Sequence, residues 1–148
     1  FIGNGKRSEI IKLDTKIKNY KLNKFCKRIN YLQIDSLTIL DNFDIFYSLT
    51  RDFEGFGYSI AESLYTSVPV VSTNVGGITE YLNNKNSTLV KPRDIAAITE
   101  TLKNFVTKKK IFIEKSKNGK KMVIKKYNSD LMSEKYSKYF FKVINLSN

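Results

Sequence analysis

The sequence predicts an α/β domain on a doubly wound parallel sheet, because short apolar runs alternate with helix-patterned stretches along its 148 residues. Two runs carry most of that prediction. Asp44-Ile45-Phe46-Tyr47-Ser48-Leu49 and Val68-Pro69-Val70-Val71-Ser72 are short, rich in β-branched and aromatic residues and bounded by polar ones, as strands buried on both faces are. The third observation is the glycine pattern: Gly55 and Gly57 follow the first of these runs, and Gly76-Gly77 follows the second. With 41% hydrophobic and 13% aromatic residues the chain can bury one core, so a single domain over residues 1–148 is expected.

In chain order, Phe1-Ile2-Gly3-Asn4-Gly5 reads as a strand end running into a glycine turn, which suggests a piece of a longer protein. Residues 6–28 read as a lysine-rich helix whose apolar positions Ile10, Ile11, Leu13, Ile17 and Leu22 fit a helical period loosely. A short strand is expected over residues 29–34, and Asp35-Ser36 caps a short helix carrying Leu37, Ile39 and Leu40. After the strand at residues 44–49, residues 50–57 form a loop and 58–67 a helix with Ile60, Ala61, Leu64, Tyr65 and Val68 on one face. Pro69 stands at the start of the next strand, where a missing donor matters least. Gly76-Gly77 opens a helix through Leu82, residues 87–90 form a strand, and helices follow at about 94–107, 109–127 and 129–145.

Net charge is +12, and its placement says more than its size. Residues 1–30 carry nine Lys or Arg against two acids, residues 31–100 carry four against nine, and residues 101–148 carry thirteen against three. A nucleic-acid reader concentrates positive charge at its recognition element, whereas here the glycine loops lie in the acidic centre, so no nucleic-acid partner is expected. With Cys26 alone and no histidine, neither a disulfide framework nor the usual zinc sites can form. A reducing, cytoplasmic location is expected, with the basic helices able to sit against anionic lipid headgroups.

The loop Glu54-Gly55-Phe56-Gly57 leads straight into the helix at Tyr58, whose first amides have no partner inside the helix and carry the positive end of its dipole. Glycines there let the backbone approach an anion, so this is a place for phosphate. Two carboxylates flank it, Glu54 and Glu62, and beside a diphosphate they make sense only facing hydroxyls, which sugars supply. Glu62 alone reads as a solvated helix carboxylate. The Glu54-x7-Glu62 spacing followed by Pro69-Val70-Val71 and Gly76-Gly77-Ile78-Thr79-Glu80 is the specific signal. Gly3-Asn4-Gly5 and Gly76-Gly77 are expected to outline the same crevice.

These motifs, with Ile29-Asn30-Tyr31-Leu32, Asp44-Ile45-Phe46 and Pro92-Arg93-Asp94, resemble the C-terminal, donor-binding domain of the retaining GT-B-fold glycosyltransferases of family four, or group 1. The resemblance spans nearly the whole chain. It implies the C-terminal half of a GT-B fold in which Glu54 lies beside the transferred sugar, the amides from Gly55 through Phe56 and Gly57 to Tyr58 hold the diphosphate, and Glu62 binds the ribose. Gly3 and Gly5 close the donor site. It also implies metal-independent transfer of a hexosyl unit from a nucleotide-sugar to a glycan or lipid-linked acceptor, as in surface polysaccharide synthesis, with no cofactor. The acceptor would be held by an N-terminal domain, and a cationic diphosphate clamp by a segment ahead of Phe1. Two departures stand out: Thr66-Ser67-Val68 replaces the family's usual glycine before the Pro-Val pair, and Ser48-Leu49-Thr50 its usual Pro-Ser.

Two other readings compete. A nucleotide-sugar epimerase of the same fold is disfavoured by the lack of histidine. A non-catalytic basic module that binds membrane or nucleic acid through residues 101–148 is favoured by Lys117, Lys121 and Lys125 at helical spacing, with Tyr136, Tyr139 and Phe140 nearby.

Overall fold

The computed structural model describes residues 6–29 and 35–146, which fall in two compact units, residues 1–35 and 36–148. In the first, α1 (Arg7–Asn19) begins with Glu9 accepting from the Lys6 amide at 3.3 Å. The helix expected over residues 6–28 stops at Asn19 because Lys21 turns left-handed, with φ 56°. That turn directs the Leu22 amide to the Ile17 carbonyl and the Lys21 amide to the Lys18 carbonyl, both at 2.9 Å, a Schellman closure made without glycine. The Gly3-Asn4-Gly5 turn, Gly3 and Gly5 included, lies outside the described residues, as does the strand expected at 29–34 beyond Ile29.

The second unit holds a three-stranded parallel sheet in the order β1 (Phe46–Ser48), β2 (Val70–Thr73), β3 (Thr88–Val90), with Phe46 opposite Val70 and Ser72 opposite Leu89. Strand alternation sorts the core into two clusters, one per face, which is the doubly wound arrangement. On one face Val70, with Phe46 and Leu89 against it, meets Ile60 and Leu64 of α3 (Tyr58–Tyr65) and Val123 of α5 (Lys109–Lys126). On the other, Val71 and Val90 meet Phe105 of α4 (Ile95–Thr107) and Phe112 of α5, whose rings stand edge-on with centroids 5.5 Å apart. Ile60, Leu64, Val71 and Ile78 are wholly buried, each stabilising the fold by about 1.5–3 kcal/mol. The short α2 (Ser36–Leu40) packs on α3 and buries Leu40.

Three junctions shape the loops. α3 ends in a second Schellman closure, with Ser67 left-handed at φ 64° and the Val68 amide bonded to the Ser63 carbonyl at 2.8 Å. Ser67 sits in the segment where the family resemblance leads one to expect a glycine. Gly76-Gly77 opens a single 3₁₀ helix, Gly76–Glu80, rather than an α-helix through Leu82, because Tyr81 leaves helical geometry at φ −130°. α4 starts at Asp94, whose carboxylate accepts from the Ala97 amide at 2.9 Å.

α5 buries Phe112, Ser116, Gly119 and Val123 along one helical stripe and packs on both α3 and α4, with Phe112 on the α4 side. Gly119 marks the closest approach, since a Cβ there would stand 2.5 Å from Leu64 Cδ2. α6 (Ser129–Leu146) leaves Met132, Tyr136, Tyr139, Phe140, Phe141 and Ile144 exposed. Among the described residues no helix is long and apolar enough to cross a membrane.

Candidate functional site

The loop at residues 50–57 leaves the carboxyl end of β1 and is pinned from below. Thr73 Oγ1, at the end of β2, donates to the Thr50 carbonyl at 2.6 Å, and Thr50 Oγ1 donates to Glu54 Oε2 at 3.1 Å. The Gly77 amide donates to the Glu54 carbonyl at 2.8 Å. The turn at Gly76-Gly77 lies so close that a Cβ on Gly76 would stand 2.2 Å from the Glu54 carbonyl oxygen, and one on Gly77 2.9 Å from that of Gly55. These two glycines therefore serve backbone-to-backbone contact with the Glu54 loop. The sequence suggested a turn that outlines a crevice, and here the Gly77 amide is engaged inside the protein.

Beyond Glu54 the loop changes character. Among the described residues a Cβ on Gly55 would meet nothing within 4 Å, so none of them requires glycine there. Gly57 is the N-cap of α3 in a left-handed conformation, φ 67°, and its carbonyl accepts from the Ile60 amide at 2.9 Å and the Ala61 amide at 3.2 Å. No side chain caps α3, which leaves its leading amides at a positive helix end without the acceptor that a serine or aspartate would provide.

Phe56 is held from behind by Tyr81, whose hydroxyl donates to the Phe56 carbonyl at 2.6 Å. The Phe56 ring packs on Tyr58, Tyr81 and Tyr127 with centroids 5.4, 5.2 and 5.3 Å away. Burial pushes the Tyr81 hydroxyl pKa well above its usual value, and the charge of Glu54 and then Tyr127 add to it, so Tyr81 stays a neutral donor. Tyr58, by contrast, is 77% exposed.

Of the residues singled out from sequence, Phe56, Tyr58 and Glu62 meet in one cavity of about 280 Å³ that Leu37, Tyr65 and Tyr127 also line. Glu54 does not line it; half-buried, it stands two residues before Phe56 on the same loop. Gly55 and Gly57 flank Phe56. Tyr81 and Tyr127, which fix the position of Phe56, were not identified from sequence. Their only signal was an aromatic residue at the end of each of two predicted helices, the segments running through Leu82 and to about residue 127.

Comparison with known proteins identifies the family and the fold. The sequence profile of the family described as glycosyl transferases group 1 matches residues 1–134. An alpha-1,3/1,6-mannosyltransferase of Rhizomucor pusillus is 32% identical over 75 residues, which is 51% of this chain and 16% of that protein. A capsular polysaccharide biosynthesis glycosyltransferase of Staphylococcus aureus is 30% identical over 101 residues, 68% of this chain and 26% of that one. The chain thus spans about a quarter or less of the curated relatives it matches. Among solved structures, HepE of Anabaena in complex with UDP superposes with a TM-score of 0.89 at 16% identity, over 95% of this chain and 40% of that chain. The C-terminal domain of a glycosyl transferase group 1 family protein from Francisella tularensis gives 0.73 at 23% identity, over 83% and 64%. The fold is that of a Rossmann-like half of a GT-B glycosyltransferase, and the chain belongs to the glycosyl transferases group 1 family.

Proposed function

We propose that this chain is the donor-binding part of a hexosyltransferase, holding a nucleoside diphosphate sugar at the loop Glu54–Gly57 and the start of α3. The observation that carries this reading is the uncapped helix end joined to the cavity that Glu62 lines. The leading amides of α3, reached past Gly55, hold the diphosphate, and Glu62 accepts hydroxyls of the ribose. Glu54, oriented by Thr50, faces the sugar that is transferred. HepE, whose structures contain UDP and UDP-glucose, supports a nucleotide-sugar ligand.

In this reading the helix end offsets the charge that builds on the departing nucleoside diphosphate, so transfer needs no metal or other cofactor and retains the sugar's anomeric configuration. The acceptor is a glycan or a lipid-linked molecule bound mainly by a further domain, as fits a relative named for capsular polysaccharide biosynthesis. Calorimetry with UDP, GDP, ADP and UDP-glucose tests the assignment. We expect one nucleotide family to bind, and Glu62→Ala to weaken it by about 1–3 kcal/mol through loss of a hydroxyl's acceptor. Absence of binding by all four at millimolar concentration refutes it.

A second reading, favoured by α6, places the protein on the cytoplasmic face of a membrane. Tyr136, Tyr139, Phe140 and Ile144 are exposed alongside Lys135 and Lys142. Co-sedimentation with anionic vesicles at low salt, abolished in neutral vesicles, is the expected result. Equal recovery in the supernatant with both removes it.

A further inference from the structure

At the carboxyl edge of the sheet a second cavity, of about 640 Å³, opens on the α4 side and shares no lining residue with the Glu62 cavity. Three chain segments build it: Leu49 and Arg51 after β1, Thr73 at the end of β2, and Arg93 with Ile95 and Ile98 around the start of α4. Among the described residues its wall is aliphatic and its charged groups are two guanidiniums. That pairing is not a by-product of a basic surface. Residues 31–100 carry only four Lys or Arg against nine acids, and Arg51 and Arg93 are two of the four.

The nearby carboxylates leave these arginines available. Asp94 is committed to the Ala97 amide at 2.9 Å, and Glu54 accepts from Thr50. Asp52 pairs with Arg93 at 3.4 Å, but the two side chains are 82% and 72% exposed, so the pair is screened and readily exchanged for a better acceptor. Arg93 also adopts a left-handed backbone conformation, φ 65°, which favours glycine. Neither the turn nor the exposed pair accounts for an arginine at this position. Guanidinium is the side chain that meets a phosphate in its own plane through two parallel hydrogen bonds.

We propose that this cavity is a subsite for a phosphate monoester on the acceptor, with Arg51 and Arg93 holding the phosphate and Leu49, Ile95 and Ile98 taking the carbon skeleton. Its assignment to the acceptor rests on the donor reading above, because Arg51 precedes Glu54 by three residues on the same loop. Donor and acceptor would then approach the Glu54 carboxylate from the two cavities that this loop separates in sequence.

Calorimetric titration of the full chain with geranyl phosphate and with glucose 1-phosphate, each with and without saturating UDP, tests the proposal. At least one monoester binds in the presence of UDP, and the tighter of the two identifies a lipid or a sugar phosphate as the source. Arg51→Gln and Arg93→Gln each weaken that binding at least tenfold and leave UDP affinity within twofold. Arg93→Gly separates recognition from folding: it relieves the left-handed turn and raises the melting midpoint, yet loses monoester binding. Failure of both monoesters to bind at millimolar concentration, their displacement by UDP, or unchanged binding in the three variants overturns the subsite. Monoester binding that depends on the arginines in a chain that binds no nucleotide supports the subsite and sinks the donor reading alone.

Discussion

Adding one methyl group at Gly76 asks how firmly the Glu54 loop is held by the turn beside it. The backbone there has φ 57°, which costs an L-residue about 1–2 kcal/mol. The new Cβ would also lie 2.2 Å from the Glu54 carbonyl oxygen and 2.9 Å from its amide nitrogen, and both are backbone atoms with no rotamer to escape into. Relief requires the two loops to part, which breaks the 2.8 Å bond from the Gly77 amide to Glu54, a further loss of about 1 kcal/mol. Gly76→Ala should therefore destabilise by about 2–3 kcal/mol, a large share of the stability of a domain this size. Urea unfolding followed by circular dichroism measures it, and calorimetry with UDP should show weakened binding as Glu54 shifts. Gly55→Ala is the contrast, since its methyl meets nothing within 4 Å among the described residues. Stability should hold or rise by about 0.5 kcal/mol while UDP binding falls at least tenfold. A Gly76→Ala protein within about 0.5 kcal/mol of wild type would refute the backbone-contact argument. Undiminished UDP binding by Gly55→Ala would refute the phosphate approach at that glycine.

Other perturbations separate the remaining interactions. Ser67→Gly removes the left-handed strain at the end of α3 and should raise the unfolding free energy by about 1 kcal/mol; an unchanged urea midpoint would show that the serine costs nothing there. Tyr81→Phe deletes the bond to the Phe56 carbonyl and should cost about 1 kcal/mol at neutral pH. Because burial, Glu54 and Tyr127 raise the folded pKa of Tyr81, its contribution is complete below the unfolded value of about 10 and is lost as pH climbs toward the folded one. The stability gap between wild type and Tyr81→Phe should thus narrow above about pH 10, and a gap that widens would contradict the assigned direction. Gly119→Ala gains about 1 kcal/mol of helix propensity but drives a methyl to 2.5 Å from buried Leu64 and 3.2 Å from the Asn86 carbonyl. A net loss of about 1 kcal/mol in urea unfolding is expected, and a gain would mean that α5 lifts freely from α3.

The strands were legible because burial on both faces writes a continuous apolar run: Phe46–Ser48 and Thr88–Val90 fall inside the runs expected, and Val70–Thr73 overruns its own by one residue. The end of α1 was not, since Lys21 adopts a conformation whose usual marker is glycine. Gly76-Gly77 misled for the opposite reason: glycine signals close approach without saying to what, and here the neighbour is the protein's own backbone. The placement of Phe56, Tyr58 and Glu62 in one cavity follows from local spacing, so sequence could anticipate it. Tyr81 reaches Phe56 across 25 positions, and Arg51 meets Arg93 only once parallel strands bring their carboxyl ends to one edge. Contacts of that separation leave no periodic trace.

Tyr81 ties the loop Glu54–Gly57 to ground far from it. Its hydroxyl holds Phe56, its own carbonyl accepts from Asn86 Nδ2 at 2.8 Å, Asn86 Oδ1 accepts from the Asn83 amide at 2.8 Å, and the Lys85 carbonyl beside them accepts from Asn118 of α5 at 3.1 Å. The segment from Glu54 to Gly57 is thereby part of the same cooperative unit as the core, unlike a surface loop that opens independently. Its amides should exchange with solvent at rates nearer those of the strands than of the chain ends. An anion arriving at α3 would find its donors already oriented, so little conformational entropy is lost in ordering them and more of the contact energy appears as affinity.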